Sequence, residues 1–136
     1  MSEAAKRELR RILYVEDDES IRAVAVMALH VVGGFDVVEC ASGAEALVRA
    51  PGAQADLILL DAMMPGMDGP ETLARLRTLP ETAATPAVFL TARVQPQEIA
   101  ELRAAGAIDV LAKPFEPMTL PDKLRQIWGR HIAPGR

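Results

Sequence analysis

Five short, mostly apolar runs alternate along this chain with segments whose apolar residues recur at helical spacing. Apolar runs of four or five residues are typical of strands buried on both faces of a parallel sheet. We interpret residues 12–15, 35–39, 57–60, 87–91 and 110–112 as these strands. With 136 residues, half of them hydrophobic, the chain is long enough for one domain with a substantial core.

The segments between these runs carry the local signals of helices. Ser42 followed by Glu45 is a capping box, and Pro96 suits the first turn of a helix that Gly106 closes. Further helices are predicted over residues 20–32 and 69–79 and after Thr119. Five strand–helix repeats predict right-handed parallel crossovers, with helices on both faces of one sheet. The predicted class is therefore α/β, with a doubly wound parallel sheet.

Reactive side chains stand at the ends of four of these strands. Glu16 and Asp17 follow the first strand, Asp61 follows the third, Thr91 ends the fourth, and Lys113 follows the fifth. The carboxyl ends of strands in an open parallel sheet lie along one edge, and ligands bind there. We therefore expect these side chains to lie close together.

The acidic residues predict a site for a divalent cation. Carboxylates gathered at one edge repel each other unless a cation binds them. Asp17 and Asp61 could both ligate Mg²⁺, which binds through one or two carboxylates and keeps waters that a phosphate oxygen can replace. Glu16 could join directly or through a water, and the backbone carbonyl of Met63 could complete the coordination shell.

The same arrangement suits phosphoryl transfer to Asp61. A carboxylate can attack phosphorus and form an aspartyl phosphate, a reaction that needs charge neutralisation more than acid–base help. Lys113 supplies a positive charge, the Thr91 hydroxyl can donate to a phosphoryl oxygen, and Ala92 leaves room beside it. Pro114 fits a cis peptide bond, which would help to aim Lys113 inward.

Each of these residues also has a purely structural interpretation. A single Asp after a strand is most often a turn former or a helix cap, and we expect Asp18 to be a cap. The methionines at positions 63, 64 and 67 would pack beneath a loop. The functional interpretation is favoured because two acids, a third acid, a hydroxyl and a lysine occur in order at strand ends.

Composition and charge argue against several other classes of protein. A formal charge of −4 without a basic run argues against direct nucleic-acid binding. Cys40 is the only cysteine, which excludes an internal disulfide and fits a reducing cytoplasm. No run approaches the ~20 apolar residues of a membrane helix. We expect flexible tails over residues 1–9 and 131–136, with a single domain over 10–130 between them.

Four segments together resemble the receiver domain of two-component response regulators. They are ILYVEDD at residues 12–18, LLDAMMPGMDG at 59–69, LTA at 90–92 and AKPF at 112–115. The second segment is strongly specific, and the resemblance extends over residues 10–130. It implies a flavodoxin-like (βα)5 fold whose five parallel strands lie in the order 2-1-3-4-5.

The resemblance also implies a function and its partners. Asp61 would accept phosphate from a phosphohistidine on a sensor histidine kinase or a histidine phosphotransfer protein. Glu16, Asp17, Asp61 and the Met63 carbonyl would hold Mg²⁺. Thr91 and Lys113 would bind the phosphoryl group. The domain would act on a downstream protein target, with a possible dimer through the face of helix 4, strand 5 and helix 5. It would catalyse only its own phosphorylation and dephosphorylation.

Three variable positions bear on how such a switch would behave. The family often has Tyr or Phe three residues before the lysine, where this chain has Val110. Because valine has no ring to turn inward, we expect the conformational change on phosphorylation to be smaller or differently routed. Met63 and Arg93 should flank the phosphoryl group. Neither is suited to align an attacking water, which predicts slow self-dephosphorylation.

Three alternative functions remain open at the level of sequence. A receiver-like docking module that is never phosphorylated is compatible with Val110. A magnesium-dependent phosphatase usually has a second Asp two residues after its nucleophile, where this chain has Met63. A dinucleotide-binding domain needs a Gly-rich turn after the first strand, where this chain instead has Glu16-Asp17-Asp18, whose charge repels phosphate unless a metal intervenes. The chain is compatible both with a stand-alone regulator and with the receiver of a longer protein.

Overall fold

A single parallel sheet forms the centre of the computed structural model, which describes residues 8–132. Its strands lie in the order β2-β1-β3-β4-β5, and every neighbouring pair is parallel. They are β1 (Arg11–Val15), β2 (Asp36–Cys40), β3 (Leu57–Asp61), β4 (Ala87–Thr91) and β5 (Asp109–Ala112). The predicted strands are confirmed to within one residue at each end, and the predicted strand order is confirmed.

Five helical segments connect and follow the strands. They are α1 (Glu19–Met27), which continues as a π-helical segment (Ala28–Val32), α2 (Gly43–Ala53), α3 (Gly69–Leu76), α4 (Pro96–Ala104) and α5 (Leu120–His131). The sequence predicted one continuous helix over residues 20–32, but the last five residues widen into π geometry. Helix α3 was predicted to reach residue 79 and ends at Leu76 instead, followed by turns before Pro86.

The predicted helix caps are largely confirmed. The Asp18 side chain accepts a hydrogen bond from the Ile21 amide at 2.9 Å and caps α1. The Ser42 hydroxyl accepts from the Glu45 amide at 3.0 Å, and the Glu45 carboxylate accepts from the Ala41 amide at 2.7 Å. These bonds satisfy amides that a helix start would otherwise leave unpaired. Thr119 precedes α5 without a side-chain capping bond.

Two apolar layers cover the two faces of the sheet, as the alternation along β1, β3 and β4 requires. Helices α1 and α5 cover one face, with the layer Ile12, Tyr14, Ala25, Leu29, Leu57, Leu59, Val88, Leu90, Leu124 and Trp128. Helices α2 and α3 cover the other, with the layer Leu13, Val15, Ala46, Ala50, Ile58, Leu60, Leu73, Leu76, Ala87 and Phe89. The doubly wound arrangement is therefore confirmed, and every strand ends at the same edge.

Helix α4 is the exception to this deep packing. None of its residues is buried, and even Ile99 and Leu102, three residues apart on one face of the helix, are only partly covered. The edge strand β5 is likewise only half-buried. The Arg103 guanidinium ties the end of α4 to the Asp109 carboxylate on β5 at 2.9 Å. This side of the molecule is thus attached more loosely than the rest of the sheet.

Packed structure reaches slightly beyond the predicted domain limits. Leu9 is buried beneath the layer of α1 and α5, and His131 forms the end of α5. Residues 1–7 and 133–136, which account for most of the two predicted tails, lie outside the described residues. Within residues 8–132, no helix is both long enough and apolar enough to cross a membrane.

Candidate functional site

The ends of β1 and β3 bring three carboxylates together. One oxygen each from Glu16, Asp17 and Asp61 lies within 4.8 Å of the others. Strands β1 and β3 are direct neighbours in the sheet, with Val15 opposite Leu60, so residues that follow them emerge side by side. Glu16 and Asp61 are buried, whereas Asp17 is exposed. We call these three residues the acidic cluster.

The geometry of the acidic cluster fits a small divalent cation. Two ligands of one Mg²⁺ ion lie at most about 4.2 Å apart, because each Mg–O distance is about 2.1 Å. The three carboxylate oxygens lie within 4.8 Å of one another, a spacing compatible with one ion that binds them directly or, for one of them, through a water. The Met63 amide donates to Asp61 Oδ1 at 3.3 Å, which orients the carboxylate.

Lys113 brings a positive charge into the acidic cluster. Its Nζ donates to Glu16 Oε1 at 2.9 Å and lies 3.4 Å from Asp61 Oδ2. The peptide bond before Pro114 is cis, as predicted, and the Lys113 amide donates to the Thr91 carbonyl at 2.8 Å. The structure therefore joins the ends of β1, β3, β4 and β5 in one site.

Burial and charge shift the ionisation of both members of this pair. Burial raises the pKa of Glu16 to about 7, although the bonds from Lys113 and from the Asp18 amide act in the opposite direction. Burial alone would lower the pKa of Lys113, but the bond to Glu16 and the charge of Asp61 outweigh it and raise that pKa. The cluster thus holds three carboxylates beside one ammonium group, which contacts only Glu16 and Asp61, and this favours the binding of further positive charge.

Thr91 completes the site on the β4 side. Its side chain is buried, and its Oγ1 accepts a hydrogen bond from the Arg93 amide at 3.0 Å. A cleft of about 420 Å³ between α3 and α4 is lined by Ala62, Met63, Thr91 and Arg93, among others. Ala92, next to Thr91, is exposed. Two of the three variable positions, Met63 and Arg93, therefore border the same cleft as Thr91.

Sequence reasoning missed one residue at this edge. Arg22 of α1 donates from Nη1 to the Glu16 carbonyl at 2.9 Å, and its Nε lies 3.4 Å from the Glu39 carboxylate. The only hint in the sequence was a cation near the start of a helix, where the helix dipole disfavours positive charge. Such a placement indicates that other partners hold the side chain.

Comparison with known protein families supports the interpretation of this site. The family model of the response regulator receiver domain matches residues 12–125, which include all the strand ends described above. The chain belongs to the response regulator receiver family. The α/β sheet in the order 2-1-3-4-5 is the flavodoxin-like fold of such receivers, and the acidic cluster lies where receiver domains bind Mg²⁺.

Curated relatives of this receiver include plant and bacterial regulators. It is 40% identical over 112 residues to the two-component response regulator ORR41 of Oryza sativa subsp. japonica, over 80% of this chain and 87% of that protein. It is 36% identical over 122 residues to the phosphate regulon transcriptional regulatory protein PhoB of Rhizobium meliloti (strain 1021), over 90% of this chain. The match covers 53% of PhoB, so the receiver spans about half the length of that relative.

Solved structures show the same architecture. The receiver aligns with the chemotaxis protein CheY4 of Vibrio cholerae at a TM-score of 0.81 and 35% identity, over 88% of this chain and 98% of that chain. A response regulator from Desulfuromonas acetoxidans aligns at a TM-score of 0.78 and 30% identity, over 90% and 98% of the two chains. The likeness therefore extends over nearly the full length of both receivers.

Proposed function

We propose that this receiver is a phosphorylation switch in which Asp61 accepts a phosphoryl group with the help of Mg²⁺. The observation that carries the proposal is the contact of Lys113 with both Glu16 and Asp61, inside a cluster of three carboxylates. Charge of both signs is thus gathered around one buried carboxylate, as phosphoryl transfer requires. The donor is a phosphohistidine of a sensor histidine kinase or a histidine phosphotransfer protein.

The chemical step follows from the arrangement of these side chains. An Asp61 oxygen attacks phosphorus and forms the O–P bond, while the P–N bond to the histidine breaks and the ring nitrogen keeps the electron pair. Lys113 and the Thr91 hydroxyl neutralise and orient the phosphoryl oxygens. Asp17, Asp61 and the Met63 carbonyl would hold Mg²⁺, together with Glu16 directly or through a water. Bound Mg²⁺ supplies charge stabilisation at the phosphoryl oxygens.

Incubation with acetyl phosphate tests this proposal directly. We expect intact-mass measurement to show one added phosphoryl group in the presence of MgCl₂ and none when EDTA replaces it, because metal removal leaves the charge on the phosphoryl group uncompensated. Absence of the adduct with Mg²⁺ would favour the docking module that is never phosphorylated. Steady release of phosphate from p-nitrophenyl phosphate would favour the phosphatase instead.

The lifetime of the phosphorylated state is the second expectation for this site. The exposed Met63 side chain offers only a weakly accepting thioether sulfur, and the Arg93 guanidinium lies 3.9 Å from Glu98. We expect the isolated phosphoprotein to lose phosphate with a half-life of minutes or longer, and Met63→Asn to shorten it by about tenfold through water alignment. Met63→Leu, which adds no polar group, is the control. Phosphate loss from the wild type within seconds would contradict the expectation.

The output of the switch is proposed to pass through Thr91 and α4. Val110 packs, partly buried, against the same apolar layer as Leu102 of α4, and it has no ring to turn inward. We expect beryllofluoride with Mg²⁺ to shift amide resonances of residues 91–105 more than those of β5. Equally large shifts across β5 and α5 would show that the output does not depend on an aromatic residue at position 110.

The partners and location belong to the same proposal. The face of α4, β5 and α5, of which α4 and β5 are only partly covered, suits binding of a downstream protein or a second receiver. The formal charge of −4 argues against direct binding to nucleic acid. The buried free thiol of Cys40 is typical of a reducing compartment, which supports a cytoplasmic location.

A further inference from the structure

Arg22 reaches from α1 back to the carboxyl edge of the sheet. Its side chain is only 16% exposed, although arginine is mostly a surface residue. Its guanidinium bonds the Glu16 carbonyl at 2.9 Å and faces Glu39, at the end of β2, at 3.4 Å. Within residues 8–132, the Glu16 carbonyl oxygen is the only atom of the acidic cluster that accepts a hydrogen bond from Arg22. Arg22 therefore acts on the backbone of the site.

The carbonyl that Arg22 bonds belongs to the peptide immediately before Asp17. A peptide unit is planar, so holding the Glu16 carbonyl also sets the direction of the Asp17 amide and hence the position of the Asp17 Cα atom. The Glu16 amide on the other side is held by the Cys40 carbonyl at 3.0 Å. The residue before the exposed carboxylate is thus fastened through both of its backbone polar groups.

The residue after Asp17 is fastened as well. The Asp18 amide donates to Glu16 Oε2 at 3.1 Å, and the Asp18 side chain caps α1 through the Ile21 amide. Within residues 8–132, the Asp17 carboxylate itself accepts no hydrogen bond and forms no ion pair. Only its backbone therefore directs this carboxylate toward Glu16 and Asp61, and Arg22 provides one of the bonds that hold that backbone.

We propose that Arg22 is a positioning residue for the divalent-cation site, which holds the peptide between Glu16 and Asp17 so that the Asp17 carboxylate faces the ion. The inference rests on the proposed function of the acidic cluster as a Mg²⁺ site. It goes beyond that function by assigning part of the ion's affinity to a side chain that never touches the ion. Groups that orient metal ligands typically change metal affinity by about 10–100-fold.

The sign of the effect separates positioning from simple electrostatics. A guanidinium near a cation site repels the cation, so removing its charge would strengthen Mg²⁺ binding if charge were its main influence. If Arg22 orients Asp17, removing it must weaken binding instead. Arg22→Met deletes the charge and the donors but keeps an apolar stem. Arg22→Lys keeps the charge but cannot reproduce the forked pair of contacts.

Arg49 of α2, the next helix along the chain, provides a matched control. The Arg49 guanidinium also donates to a backbone carbonyl at the end of a strand, that of Glu39, at 2.8 Å, and it also has a carboxylate partner, Glu45, at 3.9 Å. Within residues 8–132, Arg49 forms no hydrogen bond or ion pair with residues 16–18. Arg49→Met therefore removes a similar set of interactions but leaves in place both backbone bonds of Glu16, to Arg22 and to Cys40.

The test is a titration of the unphosphorylated full chain with MgCl₂, followed by ¹H–¹⁵N NMR, on the wild type, Arg22→Met, Arg22→Lys and Arg49→Met. We expect Mg²⁺ binding to weaken about tenfold in Arg22→Met, to weaken several-fold in Arg22→Lys and to be unchanged in Arg49→Met. Thermal unfolding of each variant separates affinity from stability. The Asp17 and Asp18 amide resonances should already be displaced in both Arg22 variants before Mg²⁺ is added.

Each result bears on one of the two proposals. Wild-type affinity, or tighter binding, in the Arg22 variants would overturn the positioning role while leaving the Mg²⁺ site intact. Absence of Mg²⁺ binding by the wild type would overturn the proposed function itself. If Arg22→Met does not fold, Arg22→Lys decides the matter, because it preserves the charge and most of the side-chain packing, and unchanged affinity in it contradicts the inference.

Discussion

Replacing Asp61 with Asn should abolish phosphoryl incorporation completely. The Asn amide has nearly the same shape as the carboxylate but lacks a nucleophilic oxygen, so the O–P bond cannot form. Asp61 is 3% exposed, and its neighbour Lys113 keeps its 2.9 Å bond to Glu16 in the variant, so the fold should be retained. The measurement is intact mass after incubation with acetyl phosphate and Mg²⁺, together with thermal unfolding to verify cooperative folding.

Asp68→Asn provides the matched control for that variant. Asp68 lies in the loop that follows β3 and caps α3 by accepting a hydrogen bond from the Glu71 amide at 2.9 Å. Asn caps helices as well as Asp does, so this variant should fold and accept phosphate as the wild type does. A phosphorylated Asp61→Asn protein would show that another residue is the acceptor, and the proposed function would have to be rebuilt around it.

Replacing Gly69 with Ala should strongly destabilise the fold. A Cβ atom at Gly69 would lie 2.5 Å from the Asp61 carbonyl oxygen, 2.7 Å from the Ala62 Cα atom and 3.0 Å from the Phe89 ring. Two of these are backbone atoms at the end of β3, so no side-chain rotation relieves the overlap. We expect the free energy of unfolding to fall by about 3 kcal/mol, at the upper end of overpacking effects.

Gly69→Ala should also impair phosphorylation of the molecules that remain folded. The Asp61 carbonyl and Ala62 must move away from α3, which displaces the carboxylate from Lys113 and from its acidic neighbours. We expect the fraction of folded protein that accepts phosphate to fall as well. Urea denaturation measures the stability, and intact mass under conditions where the variant is folded measures the phosphorylation.

Gly52→Ala is the control for the added methyl group. Gly52 is an exposed residue near the end of α2, and no atom lies within 4 Å of the Cβ position there. Ala is a better helix former than Gly, so this variant should be more stable than the wild type by about 0.5–1 kcal/mol. Wild-type stability in Gly69→Ala would mean that α3 does not pack against the end of β3 as closely as described.

Local sequence patterns were sufficient to predict the strands, because a strand buried on both faces requires an uninterrupted apolar run. Leu57–Asp61 and Ala87–Thr91 are buried along their whole length, and both were predicted to within one residue. The same logic was less successful for helices on the sheet faces. The apolar residues of α4 did not become buried, since burial depends on how far a helix lies from the sheet and not on its own periodicity.

The candidate site was predictable for a topological reason. Parallel strands end at one edge, so Asp17, Asp61, Thr91 and Lys113 had to emerge there if the runs were strands. The pairing within the site was not predictable. Lys113 bonds Glu16 at 2.9 Å across 97 residues of sequence and lies farther from Asp61, at 3.4 Å. Which carboxylate Lys113 bonds depends on how far each strand extends at this edge of the sheet, and no local sequence pattern determines that.

The sequence by itself determined the number and nature of the strands, the edge at which the reactive residues gather and the family to which the chain belongs. These follow from short-range periodicity and from the chemistry of residues at fixed offsets. Only the tertiary structure decided which oxygen Lys113 binds, that Arg22 holds the peptide before Asp17, and that Gly69 lies against the backbone of Asp61. Lys113 and Glu16 are 97 residues apart, whereas Arg22 and Glu16 are only six apart. In every case the contact depends on how strands and helices are placed around the sheet, so it exists only after they have packed.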